Sequence, residues 1–308
     1  MGTYSGKKVA VLYGGRSAER EVSLHSGEGC AEALRSKGYA VTLIDVDLEV
    51  AARLRAARAE VAFIALHGRF GEDGAIQGLL ESLGVPYTGS GVLASALGMD
   101  KVFSKLLFRD AGLKVVEYRV FPRERAERVT VGDLPFGLPA VVKPAAEGSS
   151  VGVHIVRDPE ALGPALRDAA RYMGELLVER YVKGMEVDVA VLDGRALGAI
   201  EIVPKNEFYD YESKYAPGGS EHFYPARLPA QHYRAVCEAG ERAHAALGCS
   251  GVTRNDFIVT TDGTPYILEV NTLPGMTATS LVPDIARGNG IPFPELCERI
   301  LDGASLKA

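Results

Sequence analysis

The chain lacks the features that mark membrane, secreted and nucleic-acid-binding proteins. No apolar run in its 308 residues approaches the length that crosses a bilayer. The apolar run nearest the N-terminus, residues 9–13, is too short for the core of a signal peptide. The formal net charge of −6 offers no basic footprint for nucleic acid or an anionic membrane. We therefore expect a soluble, cytoplasmic protein that binds neither.

Cysteine and histidine are also scarce. The four cysteines form no C-x-x-C pair, so we expect free thiols in a reducing compartment and no disulfide framework. The six histidines lie apart without metal-ligand spacing, which argues against a metallohydrolase. The turn after the first apolar run lacks G-x-G-x-x-G, and no G-x-x-x-x-G-K-[ST] occurs. Neither a dinucleotide-binding fold nor a P-loop is therefore indicated.

The patterns that are present predict an α/β protein. A composition of 47% apolar and 24% charged residues is typical of a globular chain, and the length predicts two or three domains. In the first part, nearly unbroken apolar strands alternate with helical patterns, as in a buried parallel sheet. Later strands have hairpin character, which predicts antiparallel sheet. The predicted domains are 1–97, 98–184 and 185–308. The predicted strands are 9–13, 41–45, 61–66, 140–143, 151–156, 176–180, 187–192 and 196–203.

Residues 204–228 form a long polar, tyrosine-rich segment that contains Pro204, Pro217 and two glycines. A loop of this length in a compact domain is usually functional or disordered. We predict that it is a lid over the active site.

Two strands around a turn carry the most informative pattern. Asp262-Gly263 is a strong hairpin signal between apolar segments. If the turn centres there, counting outward places Asp256 opposite Glu269. It also places Arg254 opposite Asn271. Because side chains alternate along a strand, these four share one face. The other, apolar face is predicted to hold Phe257, Val259, Tyr266, Leu268 and Val270.

Two interpretations explain the facing carboxylates. At about 5 Å they would repel by roughly 3 kcal/mol at an effective dielectric of about 20, so a cation is expected beside them. Oxygen ligands without histidine or cysteine suit Mg²⁺ bridging substrate phosphates. Alternatively, Arg254 neutralises both carboxylates in a structural ion-pair network. The hairpin alone leaves both interpretations open.

A second pattern begins at Lys143, which ends a predicted strand. The small-residue loop 148–152 follows it and could close over phosphate oxygens with its backbone N–H groups. Such glycine-serine loops are also common without function. Together with the carboxylate hairpin, however, Lys143 suggests a nucleotide triphosphate between a lysine-bearing lobe and a carboxylate-bearing lobe.

Seven segments in sequence order give the chain a resemblance to a known family. They are 14–23 (GGRSAEREVS), 67–74 (HGRFGEDG), 87–91 (YTGSG), 99–101 (MDK), 147–152 (EGSSVG), 209–215 (YDYESKY) and 269–277 (EVNTLPGMT). Over essentially its whole length, the chain resembles the D-alanine–D-alanine ligases of the ATP-grasp superfamily. The resemblance implies a Rossmann-like N-terminal domain with a parallel sheet, and two lobes of antiparallel sheet plus helices that sandwich ATP. It also implies ligation of two D-alanine molecules through an acyl phosphate, for peptidoglycan precursor synthesis.

The resemblance also assigns residues to ATP and metal. Two Mg²⁺ ions, or Mn²⁺ as an alternative, would be held by Asp256, Glu269 and Asn271, and K⁺ is a candidate monovalent cation. The implied ATP contacts are Lys101 and Lys143 on phosphates, Glu179, Tyr181 and Val182 at the adenine hinge, and Glu186 on ribose. Taken alone, Glu186 would be an exposed residue at the start of a strand.

A further set of residues is implied for catalysis and substrate. The catalytic residues would be Glu19, Ser149, Tyr215, Arg254 and Gly275, and the substrate contacts His67, Lys214, Ser280 and Leu281. Glu19 would hold the ammonium of the first D-alanine, and Arg254 with the Gly275 N–H would stabilise the oxyanion. Without the resemblance, Glu19 would be an acidic residue favourable in the first turn of a helix.

The resemblance also leaves two alternatives and implies binding partners. A sibling ligase would join D-alanine to D-lactate or D-serine, but Tyr215 favours dipeptide formation, because depsipeptide-forming members tend to carry phenylalanine there. A non-catalytic nucleotide-binding relative would be expected to have lost Asp256, Glu269 or Arg254, and all are present. D-alanine and ATP are the expected small-molecule partners, and a homodimer is expected because relatives tend to form one.

Overall fold

Three β-sheets form the framework of the computed structural model, which describes residues 2–148, 151–204 and 219–307. The first sheet is parallel, in the order β2-β1-β3, with β1 at Lys8–Tyr13, β2 at Ala40–Asp45 and β3 at Val61–Ile64. Val9 and Val11 enter one hydrophobic core, and Ala10 and Leu12 enter another. Both faces of the sheet are therefore covered, as its apolar strands predict.

The other two sheets are antiparallel, apart from one short parallel edge strand. The four-stranded sheet has the order β5-β8-β6-β7, and the six-stranded sheet has the order β11-β10-β9-β12-β13-β4. The fold class predicted from the sequence is confirmed. These strands are β4 Lys114–Val115, β5 Tyr118–Phe121, β6 Ala140–Pro144, β7 His154–Val156, β8 Leu176–Arg180, β9 Met185–Leu192, β10 Arg195–Pro204, β11 Ser220–Phe223, β12 Val252–Val259 and β13 Pro265–Asn271.

The helices cover the sheets and connect them. None of the helices in the described ranges has the length and apolar content needed to span a membrane. They are Arg20–Ser36, Val50–Ala57, Ala75–Leu83, Val92–Met99, Lys101–Asp110, Pro159–Ala169, Ala230–Ala246, Leu281–Gly288 and Phe293–Asp302, with 3-10 turns at Arg123–Arg125 and Val131–Asp133.

Two predicted elements differ from the structure. The strand expected at 151–156 is shorter, because only His154–Val156 pairs with β6. Within the segment expected to be a lid loop, Ser220–Phe223 is a strand that pairs with β10, next to an ion pair between Arg227 and Glu201. Backbone pairing at the sheet edge thus replaces part of the loop. Residues 205–218 of that segment lie outside the described residues. The domain boundaries remain a prediction.

The C-terminal helices pack against the N-terminal parallel sheet. Val11 and Cys30 share one core with Val282, Leu296 and Ile300. This packing brings the start of helix Arg20–Ser36 beside the loop that follows β13, and so positions the site described next.

Candidate active site

Two adjoining cavities lie between the sheets. The larger, of about 530 Å³, lies between the four-stranded and six-stranded sheets and has the size of a small-molecule site. The smaller, of about 100 Å³, lies between the N-terminal domain and the loop after β13. Lys101, Glu147, Gly148 and Glu269 line both cavities. A ligand reaching from one cavity to the other would therefore pass a buried ammonium and a carboxylate.

The β12–β13 hairpin has the predicted register at its polar residues. Asp256 pairs with Glu269, and Arg254 pairs with Asn271. Asp256 lines the larger cavity, Asn271 lines the smaller one, and Glu269 lines both. The three predicted metal ligands therefore lie around the junction of the two cavities.

The apolar face of this hairpin differs from the prediction. Because the turn closes with Thr260 bonded to Thr264, the pairing near it is shifted by one residue. A bulge at Leu268 then restores the register at the carboxylates. Leu268 therefore lines the larger cavity, and Ile267 takes its place in the core. The prediction was also wrong for Tyr266. It pairs with Ile258, which lines the larger cavity, so Tyr266 lies on the cavity face of the hairpin and not on the core face.

Arg254 pairs with Asp256, as the alternative interpretation of the hairpin anticipated, and also with Asp188 in β9. Its Nε and Nη2 donate to Asp256 at 2.8 and 2.7 Å, and its Nε lies 3.1 Å from Asp188 Oδ2. Burial opposes the charge on Arg254, but the two carboxylates outweigh burial and raise the pKa of the guanidinium well above its usual value. Arg254 is therefore a permanently charged, rigidly held donor.

Glu269 has a different cationic partner. Lys101 Nζ lies 3.0 Å from Glu269 Oε2 and donates to the carbonyl oxygen of Glu147 at 2.6 Å. Burial opposes the charge on Lys101, but Glu269 outweighs it and raises the pKa of the ammonium. Lys101 is the first residue of helix Lys101–Asp110, where the Asp100 side chain caps the N-terminus. A capped helix thus presents Lys101 at the junction of the cavities.

Glu179 places its side chain between two lysines. Lys105 Nζ lies 2.5 Å from Glu179 Oε1, and Lys143 Nζ lies 2.8 Å from Glu179 Oε2. Burial alone would raise the pKa of Glu179, but the two ammonium groups outweigh it and lower the pKa to about 2. Burial lowers the pKa of Lys105, while Glu179 opposes that shift. The Glu179 carboxylate is therefore engaged in ion pairs with the two lysines, so any contact of Glu179 with adenine would come from its backbone.

The other predicted ATP residues line the larger cavity. Tyr181, Val182 and Glu186 follow Glu179 along one wall. The Tyr181 N–H already donates to the carbonyl of Pro139 at 3.0 Å, so this amide anchors the hinge to the lobe. The predicted hinge and the predicted ribose residue thus lie on the same wall.

Glu19 lies at the N-terminus of helix Arg20–Ser36, where the helix dipole favours a negative charge. It lines the smaller cavity. A Cβ added to Gly148 would lie 3.4 Å from Glu19 Oε2. The loop after β6 therefore approaches this carboxylate closely at Gly148.

His67 is buried, and both ring nitrogens have partners. Nδ1 lies 3.1 Å from the carbonyl oxygen of Leu273, which can only accept, so Nδ1 carries the proton. In the neutral ring, Nε2 accepts from Ser26 Oγ at 3.1 Å, and Ser26 Oγ accepts from the Met276 N–H at 3.3 Å. His67 lines the smaller cavity and also holds both ends of the loop that contains Gly275.

Gly275, Ser280 and Leu281 meet at the same cavity. Ser280 Oγ accepts from the Thr277 N–H at 3.0 Å, and a Cβ on Gly275 would lie 2.8 Å from that oxygen. The close approach requires glycine at position 275 and leaves its backbone at the cavity wall. Leu281 is buried at the start of helix Leu281–Gly288, so a polar contact from this residue would come from its backbone.

Three predicted site residues are not described by the structure, and two residues of the site were not predicted from the sequence. Ser149, Lys214 and Tyr215 lie outside the described residues, and their roles remain predictions. Sequence reasoning missed Lys105, and it missed Asp188, although the acidic alternation of Glu186 and Asp188 in the apolar strand β9 was a usable signal.

Two family models match the chain. The D-ala D-ala ligase N-terminus matches residues 49–90, and the D-ala D-ala ligase C-terminus matches residues 107–302, more than half of the chain. The chain belongs to the D-alanine–D-alanine ligase family. This confirms the family and the fold class that were predicted from the sequence. It also confirms the predicted enzyme class, an ATP-dependent ligase.

Relatives and solved structures of the family agree along the whole chain. A D-alanine–D-alanine ligase of Anaeromyxobacter sp. (strain K) is 73% identical over 308 residues, 100% of both chains. One of Geotalea uraniireducens (strain Rf4) is 60% identical, over 98% of this chain and 96% of that relative. The ligase of Bacillus anthracis complexed with ATP matches with a TM-score of 0.85 and 34% identity, over 97% of both chains. The VanG D-Ala:D-Ser ligase of Enterococcus faecalis matches with a TM-score of 0.83 and 30% identity, over 96% of this chain and 98% of that one.

Described residues include no group of three histidine, cysteine, aspartate or glutamate side chains arranged to hold a metal ion. The predicted set is instead two carboxylates and one amide. Asn271 Oδ1 accepts from the Leu273 N–H at 2.9 Å and keeps a second lone pair. These hard oxygen donors line the two adjoining cavities, and such donors suit Mg²⁺. The donor set is therefore compatible with the predicted metal.

Proposed function

We propose that this chain forms D-alanyl-D-alanine from two D-alanine molecules and ATP, with release of ADP and phosphate, for peptidoglycan precursor synthesis. This is the function predicted from the sequence, and membership of the family supports it. The observation that carries the proposal is the junction of the two cavities, where Lys101 and the facing carboxylates lie between a nucleotide-sized space and a smaller one.

The first step makes a carboxylate reactive. An oxygen of the first D-alanine carboxylate attacks the γ-phosphorus of ATP, the bond to ADP breaks, and an acyl phosphate forms. Lys101 and Lys143 neutralise the charge on the phosphates and fix their position, which is most of what phosphoryl transfer requires. Glu19 receives the ammonium of the first D-alanine. No protein nucleophile is needed in this sequence of steps.

Asp256, Glu269 and Asn271 would hold Mg²⁺, with Mn²⁺ as an alternative and K⁺ as a candidate monovalent ion elsewhere. When bound, the divalent ions supply charge neutralisation at the phosphate oxygens. Lys101 pairs with Glu269 and Arg254 pairs with Asp256, so each carboxylate of the proposed metal site also has a cationic side chain beside it.

The second step forms the amide bond. The amine of the second D-alanine attacks the acyl phosphate carbonyl, and the resulting tetrahedral oxyanion collapses with loss of phosphate and a proton. Arg254 and the Gly275 N–H are the proposed oxyanion donors. Because Asp256 and Asp188 hold the guanidinium, and His67 holds the loop of Gly275, both donors are preorganised. Ser280 and the Leu281 backbone would receive the second carboxylate.

The domain boundaries, the oligomeric state and the cellular location complete the proposal. Domains are proposed at 1–97, 98–184 and 185–308. A homodimer is also proposed, and the exposed apolar side chains Leu48 and Phe70, which line one surface cavity and are 82% and 53% accessible, support it. A cytoplasmic location is supported by four free cysteines, which suit a reducing compartment.

The choice of second substrate is tested by phosphate release from ATP. D-alanine, L-alanine, D-serine and D-lactate are added to the purified protein singly, and D-serine and D-lactate are also added together with D-alanine. We expect D-alanine alone to stimulate release strongly and to yield dipeptide. Mixed products formed in preference to D-alanyl-D-alanine would instead identify a D-serine or D-lactate ligase, and no stimulation at all would contradict ligase activity.

A further inference from the structure

Lys105 is a fully buried lysine that the steps above do not use. It lies one helical turn after Lys101 on helix Lys101–Asp110, and 0% of its surface is accessible. It is not among the described residues that line either cavity. A buried ammonium is costly unless it is paired. The buried ammonium of Lys105 beside the proposed nucleotide site therefore needs a compensating partner.

The partner of Lys105 is a carboxylate that it shares with Lys143. One oxygen of Glu179 lies 2.5 Å from Lys105, and the other lies 2.8 Å from Lys143. Lys143 and Glu179 both line the larger cavity, although Glu179 is only 2% accessible. The three groups together carry one excess positive charge, which lies at the cavity wall where the proposed function puts the ATP phosphates.

We propose that Lys105 is a positioning residue: it stays paired with the Glu179 carboxylate and so leaves the Lys143 ammonium available for the phosphates of ATP. The proposal rests on the proposed function, in which Lys143 contacts those phosphates. Without Lys105, the carboxylate would be buried with Lys143 as its close ammonium partner. Turning Lys143 toward ATP would then leave an unpaired buried charge, which is strongly unfavourable.

The test compares Lys105→Met with a control on the same helix. Methionine keeps much of the length of the side chain and removes its charge. Arg109→Met makes the same kind of change one turn further on, at an exposed position. Titration calorimetry with the Mg²⁺ complex of β,γ-imido-ATP measures nucleotide affinity without turnover. We expect Lys105→Met to weaken binding about tenfold or more, since a buried charge loses its partner, and Arg109→Met to change it less than about twofold.

A double variant separates positioning from a merely structural role. Glu179→Gln added to Lys105→Met removes the carboxylate that would otherwise hold Lys143, so we expect the affinity to return to within about threefold of the wild-type value. Wild-type affinity in Lys105→Met, or no recovery in the double variant, would overturn the proposal. If the single variant does not fold, the double variant alone decides it: weak binding by a folded double variant contradicts the proposal. Because the probe is not turned over, these outcomes are independent of whether the wild-type enzyme makes the dipeptide.

Discussion

Asp256→Asn and Glu269→Gln are each expected to lower the rate of dipeptide formation by about 10³-fold, because charge stabilisation by a bound metal contributes several kcal/mol. Both changes keep the size of the side chain and remove the charge that attracts the cation. Arg254 keeps Asp188 as a partner in the first variant, and Lys101 keeps the Glu147 carbonyl in the second. The fold should therefore remain intact.

The measurement is D-alanine-dependent phosphate release across a range of Mg²⁺ concentrations, with circular dichroism as a check of folding. Asp262→Asn is the matched control, since it changes an exposed carboxylate in the turn of the same hairpin and asparagine suits a turn before glycine. This control should keep wild-type activity. Unaltered activity in Asp256→Asn or Glu269→Gln would show that the hairpin is not the metal site.

Arg254→Ala is expected to lower kcat by about 10²–10³-fold, the usual effect of removing an oxyanion donor. Its effect on nucleotide affinity should be much smaller, because Lys101 and Lys143 remain in the larger cavity. Steady-state kinetics beside titration with β,γ-imido-ATP separates the two effects. Arg254→Lys, which keeps the charge and loses the two-pronged geometry, should lie between the wild type and Arg254→Ala.

Because Arg254 forms ion pairs with two carboxylates, its removal could also lower the rate by leaving those carboxylates without a neutralising charge. Removing the guanidinium leaves Asp256 and Asp188 facing each other across neighbouring strands. If Arg254 served only to neutralise them, excess Mg²⁺ would restore the rate of Arg254→Ala. A defect that persists at saturating Mg²⁺ supports the oxyanion role, and full recovery contradicts it.

The elements of this fold were predictable because their signals are local. Runs of apolar residues predicted strands in all three sheets, but the edge strands β4, β5 and β11 were not among them. The pairing of Asp256 with Glu269 was also predicted correctly, but only because two irregularities of the hairpin cancel each other. The turn closes one residue earlier than assumed, and the bulge at Leu268 corrects the difference. Nearer the turn, where only one of the two acts, Phe257 and Val259 lie in the core as predicted, whereas Tyr266 and Leu268 do not.

The parts of the site that were not predicted depend on contacts between distant segments. Lys105 follows Lys101 at helical spacing and looks like a solvated residue until the helix packs beside β8 and Glu179. Asp188 becomes a partner of Arg254 only because β9 pairs with β12, and local patterns do not reveal that neighbour. His67 was assigned to the substrate, whereas its bonds to Ser26 and Leu273 appear only after the N-terminal domain meets the loop after β13.

The acyl phosphate is tested most directly by following one oxygen atom. D-alanine labelled with ¹⁸O in its carboxylate is supplied with unlabelled ATP, and the released phosphate is analysed by mass spectrometry. If the carboxylate attacks the γ-phosphorus and the amine later displaces phosphate, one labelled oxygen must leave with each phosphate. Phosphate that carries no label, with its new oxygen taken from water, would contradict the account.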